Sequence, residues 1–253
     1  MNNVIISVKN LKKNYGQFEA VKGISFEVYE GEIFGLLGPN GAGKSTTLEI
    51  IETLRTKTSG EVIVDGFNLD TDPNEIKKII GVQLQASGYY PGLNLSELIH
   101  LFAGLYNENV DALTLLDSVN LRDKAKSKFK ELSGGQKQRF SIATTLINRP
   151  KIIFLDEPTT GLDPQARRNL WELIKDIRSK GTTVIITTHY MDEAEILCDR
   201  VAIIDSGKII AMEHPDKLID NLVATGFEKP KEVKQANLED VFINLTGKHL
   251  REE

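Results

Sequence analysis

Apolar and polar residues alternate in two stretches near the start of the chain, at residues 4–8 and 24–28. Alternation of this kind predicts strands with one face in the core and the other in water. The run from Ile33 to Leu37 is apolar apart from one glycine and is followed by another glycine, which predicts a strand buried on both faces. Two further short strands are predicted as a hairpin over residues 60–69. The first part of the chain therefore predicts an N-terminal antiparallel β-subdomain next to one buried strand.

Helical patterns occupy residues 44–54 and the short segment after Asp72-Pro73, where proline stands at the first helical position, which tolerates it. A strand is predicted at residues 79–85, and the pattern then changes. Apolar side chains recur at helical spacing in two groups: Leu98, Leu101, Phe102 and Leu105, then Val110, Leu113, Leu116 and Val119. We interpret residues 86–150 as a helical insertion.

Strands and helices alternate after the insertion. The predicted order is a strand at 152–155, a helix at 164–179, a strand at 182–188, a helix at 191–198 and a hairpin at 200–211. This alternation predicts an α/β fold with a mostly parallel sheet that is covered on both faces. We divide the chain into a core of residues 1–85 and 151–215, a helical subdomain of residues 86–150, and a C-terminal tail of residues 216–253 with a short helix.

Composition excludes several classes of protein and of site. The 253 residues carry 31 Lys and Arg against 36 Asp and Glu, a net charge of −5 that argues against a nucleic-acid partner. Cys198 is the single cysteine, so neither an intrachain disulfide nor a cysteine-based zinc site can form. No stretch approaches the ~20 consecutive apolar residues that cross a bilayer. We therefore expect a chain that is neither secreted nor membrane-spanning, although a partner could hold it at a membrane.

A glycine-rich loop between the buried strand and the first helix matches the pattern G-x-x-x-x-G-K-[ST]. Glycines let the backbone approach a polyphosphate closely enough for several N–H groups to converge on it, and the helix start adds its positive dipole end. Lys44 then supplies a full charge to the β and γ oxygens, and the hydroxyl of Ser45 can bind Mg²⁺. The predicted triphosphate-binding residues of this loop are Gly38, Pro39, Asn40, Gly41, Ala42, Gly43, Lys44, Ser45 and Thr46.

Two carboxylates, Asp156 and Glu157, stand where the apolar strand 152–155 ends. Ligands of a parallel sheet gather outside the carboxyl ends of its strands, so we expect this pair and the phosphate loop at one edge. Asp156 is predicted to hold Mg²⁺, and Glu157 is predicted to polarise an attacking water. The alternative is that both are solvated turn residues before Pro158.

A second pair of glycines opens another predicted helix in the sequence LSGGQ, residues 132–136. Ser133 is predicted to cap this helix, and the glycines expose N–H groups that attract an anion. A cap followed by a flexible turn is the simpler alternative. The chain thus has two helix starts that could bind phosphate but only one carboxylate pair. A dimer in which each nucleotide contacts one helix start of each subunit would use both.

The segments GPNGAGKST, LSGGQ and IIFLDE resemble the Walker A, signature and Walker B motifs of ABC-transporter ATPase subunits. Their order and spacing also agree, with 89 positions from Lys44 to Ser133 and 23 from Ser133 to Asp156. The resemblance covers about residues 4–215. It implies a P-loop NTPase core, ATP and Mg²⁺ as ligands, and hydrolysis of ATP to ADP and phosphate.

The resemblance also assigns roles to single residues. It implies that Tyr15 stacks on adenine, that Gln85 contacts Mg²⁺ and the attacking water, and that His189 contacts the γ-phosphate. The implied catalytic residues are Lys44, Gln85, Glu157 and His189, and the implied metal ligands are Ser45, Gln85 and Asp156. The residues implied to act on the nucleotide of a second subunit are Ser133, Gly134, Gly135, Gln136 and Asp163.

The resemblance further implies two partners, a second ATPase subunit in an ATP-dependent dimer and a separate membrane-spanning subunit. The chain would then lie at the cytoplasmic face of the cell membrane. Residues 160–164, 188–195 and 238–247 resemble the drug-resistance branch of ABC exporters, and the last segment predicts an amphipathic helix. An importer ATPase and a non-transport ABC ATPase are the alternatives. The 89 positions between phosphate loop and signature leave no room for the long coiled coil of DNA-repair relatives.

Overall fold

The computed structural model describes residues 3–83 and 88–228, and the chain divides into two compact units with a boundary between Lys217 and Leu218. The strands are β1 (Val4–Tyr15), β2 (Phe18–Tyr29), β3 (Ile33–Leu37), β4 (Ser59–Val64), β5 (Phe67–Asn68), β6 (Ile80–Gln83), β7 (Ile152–Asp156), β8 (Thr183–Thr188), β9 (Arg200–Asp205) and β10 (Lys208–Glu213). The helices are α1 (Lys44–Ile51), α2 (Pro73–Ile79), α3 (Leu95–Tyr106), α4 (Ala112–Ser118), α5 (Gly134–Thr145), α6 (Pro164–Ser179), α7 (Met191–Leu197) and α8 (Pro215–Ala224).

Antiparallel pairs build the N-terminal sheet, which has the order β2-β1-β4-β5. The strands predicted at residues 4–8 and 24–28 are much longer than expected, because β1 and β2 each run for 12 residues. A bulge explains the difference in β1. The register shifts between Val8 and Leu11, both of which are buried, and Asn10 between them adopts a φ of 48°. An extra residue in one strand breaks the alternation of side chains while the strand itself continues.

Parallel pairs build most of the larger sheet, which has the order β10-β9-β3-β8-β7-β6. The five strands from β9 to β6 run parallel, and β9 and β10 form the predicted antiparallel hairpin. Every residue of β3 and of β8 is buried, as expected for parallel strands with both faces covered. The predicted fold class, an α/β core with a mostly parallel sheet and an N-terminal antiparallel sheet, is confirmed. The carboxyl ends of β3, β8 and β7 consequently lie side by side at one edge.

An aromatic contact joins the two sheets. Phe26 of β2 stacks on Phe34 of β3, with ring centroids 5.4 Å apart and ring planes 7° from parallel. Both rings belong to one cluster of buried side chains that also includes Leu48, Ile50 and Ile51 of α1. Because a close-packed interior leaves little room for shifts, this cluster fixes the position of α1 and of the loop that precedes it.

Helices α3, α4 and α5 lie within the predicted insertion, and residues 88–150, the described part of it, contain none of the named strands. The ring of Tyr89 contacts three other aromatic rings, with centroid distances of 5.9 Å to Phe102, 4.3 Å to Phe129 and 5.2 Å to Phe140. Contacts between such rings add to the stabilisation that their burial provides. The helical character of this segment is confirmed, while the three-part division of the chain stays a prediction.

Some predicted boundaries differ from the structure. The helix predicted at 44–54 ends at Ile51, because Thr53 adopts a left-handed φ of 64° that a helix does not accommodate. The strand predicted at 79–85 is described as far as Gln83. Gln85 and the segment 238–247 lie outside the described residues. Within the described ranges, no helix has the length and apolar character needed to cross a membrane.

Candidate functional site

The phosphate loop connects the end of β3 to the start of α1. Two close approaches of neighbouring backbone define its path. A Cβ atom at Gly38 would lie 2.1 Å from the carbonyl oxygen of Ile204, and one at Gly43 would lie 2.7 Å from that of Ala20. Gly43 also adopts a φ of 103°, which residues with side chains rarely reach. Glycine is therefore required at both positions by the surrounding strands.

Lys44 is buried at the start of α1, and oxygen atoms surround its ammonium group. The group donates to the carbonyl of Gly38 at 2.7 Å and to that of Pro39 at 3.2 Å. It also lies 3.9 Å from Oε1 of Glu157. Such partners offset the hydration that a buried charge loses. A positive charge is thereby fixed between the phosphate loop and the acidic strand end.

Asp156, the last residue of β7, lies against the start of α1. The hydroxyl of Ser45 donates to Oδ1 of Asp156 at 3.3 Å, and the hydroxyl of Thr187 on β8 donates to the same oxygen. The structure thus brings the acidic strand end and the phosphate loop together, and two hydroxyls orient the carboxylate.

Glu157 follows with a left-handed φ of 48°, which is uncommon for a residue with a side chain. Its N–H donates to both the carbonyl of Thr187, at 3.1 Å, and the hydroxyl of Thr187, at 3.0 Å. Its carboxylate accepts a hydrogen bond from the hydroxyl of Thr160 at 3.2 Å and lies 3.2 Å from Nδ1 of His189. Sparsely populated backbone conformations that neighbours hold in place cluster at functional sites. Glu157 and His189 form a carboxylate–imidazole pair at the sheet edge.

A cleft of about 440 Å³ runs along the phosphate loop, a size that suits a small-molecule ligand. Its lining consists of Tyr15, Phe18, Ala20, Asn40, Gly41, Gly43, Lys44, Ser45, Thr46 and Glu157. Tyr15 is 41% exposed, and the cationic groups of Lys13 and Arg55 lie 5.1 and 5.5 Å from the centroid of its ring. An exposed aromatic residue that lines a cleft offers a ring face on which a planar base can stack. The cleft therefore combines a surface for a base with a loop for phosphates.

A second, smaller pocket of about 110 Å³ also borders Ser45 and Asp156. Glu52 and Gln83 line it, both are buried, and Oε1 of Gln83 has no hydrogen-bond partner among the described residues. Burial, and to a smaller extent the charges of Asp156 and Glu49, raise the pKa of Glu52 from 4.5 to about 8. The sequence pattern does not reveal this group, because a glutamate at the end of a helical segment resembles a solvated residue.

The LSGGQ segment forms a capping box at the start of α5. The N–H of Gln136 donates to the hydroxyl of Ser133 at 3.3 Å, and the N–H of Ser133 donates to Oε1 of Gln136 at 2.9 Å. A Cβ atom at Gly135 would lie 3.0 Å from Cβ of Ala166, whose N–H donates to the N-cap Asp163 at 2.8 Å. The two segments implied to act on a second subunit are therefore neighbours, and neither lines the cleft of its own chain.

Five of the predicted site residues lie together at one sheet edge: Lys44, Ser45, Asp156, Glu157 and His189. The residues implied to act on a second subunit do not line the cleft of their own chain: Ser133, Gly134, Gly135, Gln136 and Asp163. Two threonines that hold the carboxylates were not predicted. Thr187 carries a signal, because it belongs to a polar pair that ends the apolar strand 184–186. Thr160 carries no signal beyond its place shortly after Glu157.

The donor set at this edge fits Mg²⁺. Among residues 3–83 and 88–228, no cluster of three His, Cys, Asp or Glu side chains could hold a metal by itself. Ser45 and Asp156 nevertheless offer a hydroxyl and a carboxylate 3.3 Å apart beside the phosphate loop. Mg²⁺ prefers oxygen ligands and commonly combines one or two protein side chains with substrate phosphates. The site is therefore suited to Mg²⁺ that binds together with a nucleotide.

Comparisons with known proteins point in one direction. The family model described as ABC transporter matches residues 21–160. The linearmycin resistance ATP-binding protein LnrL of Bacillus subtilis is 41% identical over 213 residues, which cover 82% of this chain and 68% of that protein. The Nod factor export ATP-binding protein I of Burkholderia orbicola is 34% identical, with 98% of each chain covered. The dimeric post-hydrolysis structure of the ATP-binding cassette MJ0796, bound to ADP and Pi, aligns with a TM-score of 0.73 and 32% identity over 83% of this chain and 98% of that one.

Proposed function

The chain belongs to the ABC transporter family, and from this premise we propose that it is the ATP-binding and ATP-hydrolysing subunit of an exporter. The observation that carries this proposal is the sheet edge at which a phosphate loop, a buried lysine, a hydroxyl–carboxylate pair and a carboxylate–imidazole pair meet. Transfer of a phosphoryl group to water needs charge stabilisation, a metal and a positioned water, and each of these needs has a candidate group at this edge.

ATP is proposed to occupy the cleft of about 440 Å³. Tyr15 stacks on the adenine ring, and the backbone N–H groups of residues 38–46 bind the phosphates. Lys44 adds a full positive charge, and its hydrogen bonds to the carbonyls of Gly38 and Pro39 already hold its ammonium group beside the loop. Groups fixed before the ligand arrives bind it at a lower entropic cost.

Glu157 is proposed to orient the attacking water and to accept its proton. Its carboxylate is held by the hydroxyl of Thr160 and its backbone by Thr187, so the base does not have to be ordered during the reaction. Lys44 and His189 face the oxygens on which negative charge grows. Such preorganised charges are usually the largest contribution to catalysis. Gln85, outside the described residues, is assigned to the same water.

Mg²⁺ would be held by Ser45, Asp156 and Gln85 together with oxygens of the nucleotide, and when bound it neutralises charge on the β- and γ-phosphates. The hydroxyl of Thr187 donates to Asp156 and keeps its carboxylate turned towards Ser45. The two proposed ligands are therefore already close together before a metal ion binds.

A second ATPase subunit is proposed to complete each site. Ser133, Gly134, Gly135, Gln136 and Asp163 would act on its nucleotide. Ser133, Gly134 and Asp163 are exposed, and their segments do not line the cleft of their own chain. The dimeric MJ0796 cassette supports this arrangement.

A separate membrane-spanning subunit is the other proposed partner, and it places the chain at the cytoplasmic face of the membrane. Relatives named for linearmycin resistance and for Nod factor export support transport outwards. The helical segment exposes Tyr90, Leu105, Tyr106 and Leu113, and such apolar side chains suit a protein interface. Movements at the nucleotide would reach the partner through this segment and the Gln85 region.

Substitution of Glu157 by glutamine tests the proposal. The variant should bind ATP but turn it over at least ~10²-fold more slowly, the scale for loss of a general base. It should also be monomeric without nucleotide and dimeric with ATP and Mg²⁺, but not with ADP, which lacks the γ-phosphate that bridges the subunits. Steady-state ATPase rates and size-exclusion chromatography with light scattering measure both effects.

The exposed Glu195 of α7 provides the matched control, and Glu195→Gln should leave the rate and the oligomeric state unchanged. Near-wild-type turnover by Glu157→Gln with intact binding would assign the base elsewhere. A variant that stays monomeric at saturating ATP and Mg²⁺ would contradict the shared sites.

A further inference from the structure

Nδ1 of His189 lies beside Glu157 without a hydrogen bond to any residue that the structure describes. The side chain of His189 is 36% exposed, and its Nδ1 atom, although 3.2 Å from a carboxylate oxygen of Glu157, lacks the geometry of a hydrogen bond. Because Nδ1 makes no such bond, the contact with Glu157 does not by itself fix the rotamer of the imidazole, and packing of neighbouring atoms can do so. The orientation of this imidazole therefore depends on what its ring contacts.

The ring of Tyr190 packs against the imidazole. The two ring centroids lie 4.2 Å apart, and the planes are inclined by 38°. The N–H of Tyr190 donates to the hydroxyl of Thr188 at 3.0 Å, which fixes the backbone between β8 and α7. Tyr190 is thus held in a position from which its ring limits the movement of His189.

The guanidinium of Arg167, on α6, lies over the same tyrosine ring at 4.6 Å from its centroid. Arg167 also pairs with Asp192 on α7 at 3.5 Å, and its buried Nε atom has no hydrogen-bond partner in the part of the chain that the structure describes. A partly desolvated cation is attracted to the face of an aromatic ring by the ring quadrupole. Arg167 therefore holds Tyr190 through its charge as well as through packing.

A buried hydrogen bond ties the two helices together one turn further along. Nε1 of Trp171 on α6 donates to Oε1 of Glu193 on α7 at 3.0 Å, and both side chains are buried. This bond holds α6 beside α7 and so favours the position of Arg167 over Tyr190. Arg167 is therefore held by the contact between α6 and α7, and Tyr190 by its hydrogen bond to Thr188.

We propose that Tyr190 and Arg167 are positioning residues for His189, and that their stack holds the imidazole towards Glu157. The inference rests on the proposed function, in which His189 stabilises the charge that develops on the phosphate. Neither Tyr190 nor Arg167 lines the cleft for the nucleotide, so their loss should affect turnover and not ATP affinity.

Three variants separate the contributions. Tyr190→Leu removes the ring, Tyr190→Phe keeps the ring without its hydroxyl, and Arg167→Met keeps the length of the side chain without its charge. In Tyr190→Leu, kcat should fall by about 2- to 12-fold at unchanged KM, which corresponds to the 0.5–1.5 kcal/mol of an aromatic pair. Arg167→Met should lower kcat in the same sense, and Tyr190→Phe should retain most of it.

Proton–carbon NMR spectra of the histidine rings provide a signature that general destabilisation would not produce. The chain has four histidines, and the signal of His189 is the one that disappears in His189→Gln. Tyr190→Leu should shift this signal, because the ring current of Tyr190 is lost, whereas Tyr190→Phe should leave it near its place. Tyr29→Leu is the matched control, since Arg200 lies over that ring in the same way, at 4.7 Å, and it should change neither the signal nor kcat.

Failure of the inference and failure of the proposed function would give different results. Wild-type kcat together with an unshifted His189 signal in Tyr190→Leu would overturn the inference and leave the proposed function intact. Full turnover by His189→Gln would instead contradict the role of His189 itself, and the inference would fall with it. Where Tyr190→Leu does not fold, Arg167→Met decides between the same two results.

Discussion

Replacement of the buried Glu52 by glutamine should stabilise the chain, and the gain should grow with pH. Glu52 is 5% exposed, and burial is the main cause that raises its pKa from 4.5 to about 8. A carboxyl whose pKa is raised on folding holds its proton more tightly in the folded state. Stability therefore falls as the pH rises from about 4.5 to about 8. Glutamine keeps the size and polarity of the side chain but cannot ionise, so it removes this dependence.

The magnitude follows from the two pKa values of Glu52, which differ by 8 − 4.5, or about 3.5. Each pKa unit corresponds to about 1.4 kcal/mol, so ionisation of Glu52 should cost about 5 kcal/mol above pH 8. At pH 7 the cost is about 3 kcal/mol, and at pH 5 it is below about 1 kcal/mol. Glu52→Gln should recover these amounts at each pH.

Urea unfolding of the full chain at pH 5 and pH 8, without nucleotide or Mg²⁺, measures the difference. Trp171 is the single tryptophan and is buried, so its fluorescence reports on the loss of the core. Glu195→Gln makes the same chemical change on the exposed face of α7. This control should alter the free energy of unfolding by less than about 0.5 kcal/mol at either pH, because an exposed group stays in water in both states.

Equal stabilisation of Glu52→Gln at both pH values would show that ionisation of the buried carboxyl is not responsible. A loss of stability at pH 8 would mean that Glu52 is charged and well paired in the folded chain, and the reasoning from burial would be refuted.

Two further predictions concern the cleft. Tyr15→Ala should weaken ATP binding by about 1–2 kcal/mol, within the range for a base on an aromatic ring, and a titration that shows unchanged affinity would remove Tyr15 from the adenine site. Thr187→Val removes the hydroxyl that donates to Asp156 and accepts from the N–H of Glu157. The valine variant should lower kcat at least about tenfold, because a hydrogen bond to a charged group is worth about 1.5–3 kcal/mol. Thr187→Ser keeps the hydroxyl and should retain the wild-type rate. A wild-type rate in Thr187→Val would show that this hydroxyl does not position the two carboxylates.

Site residues that lie next to each other in the sequence could be predicted from it. The phosphate loop and the pair Asp156-Glu157 each lie in one short segment, and the edge rule for parallel sheets places both segments together. Thr187 and Thr160 could not be assigned, because their partners depend on which strands become neighbours and on how the chain turns after Glu157. The burial of Glu52 likewise results from packing between distant segments, which a helical pattern does not encode.

The fold shows the same division between local and long-range information. Uninterrupted patterns located β3, α6, α7 and the hairpin of β9 and β10 to within a few residues. The full length of β1 could not be predicted, since the bulge at Asn10 shifts the buried face from one set of positions to the other. The period of two is a property of a regular strand, and a bulge removes it without ending the strand.

The place of β3 between β8 and β9 has a consequence for the newly made chain. Ile33 pairs with Val184, which the ribosome adds 151 positions later. At about 5–20 residues per second, this interval lasts roughly 8–30 s, and pairing over such separations is slow because a long loop must close first. Throughout that time an apolar strand and its phosphate loop have neither neighbour, which makes β3 a candidate for capture by chaperones. ATP can help to stabilise the nascent chain only after β8 and β9 have been synthesised.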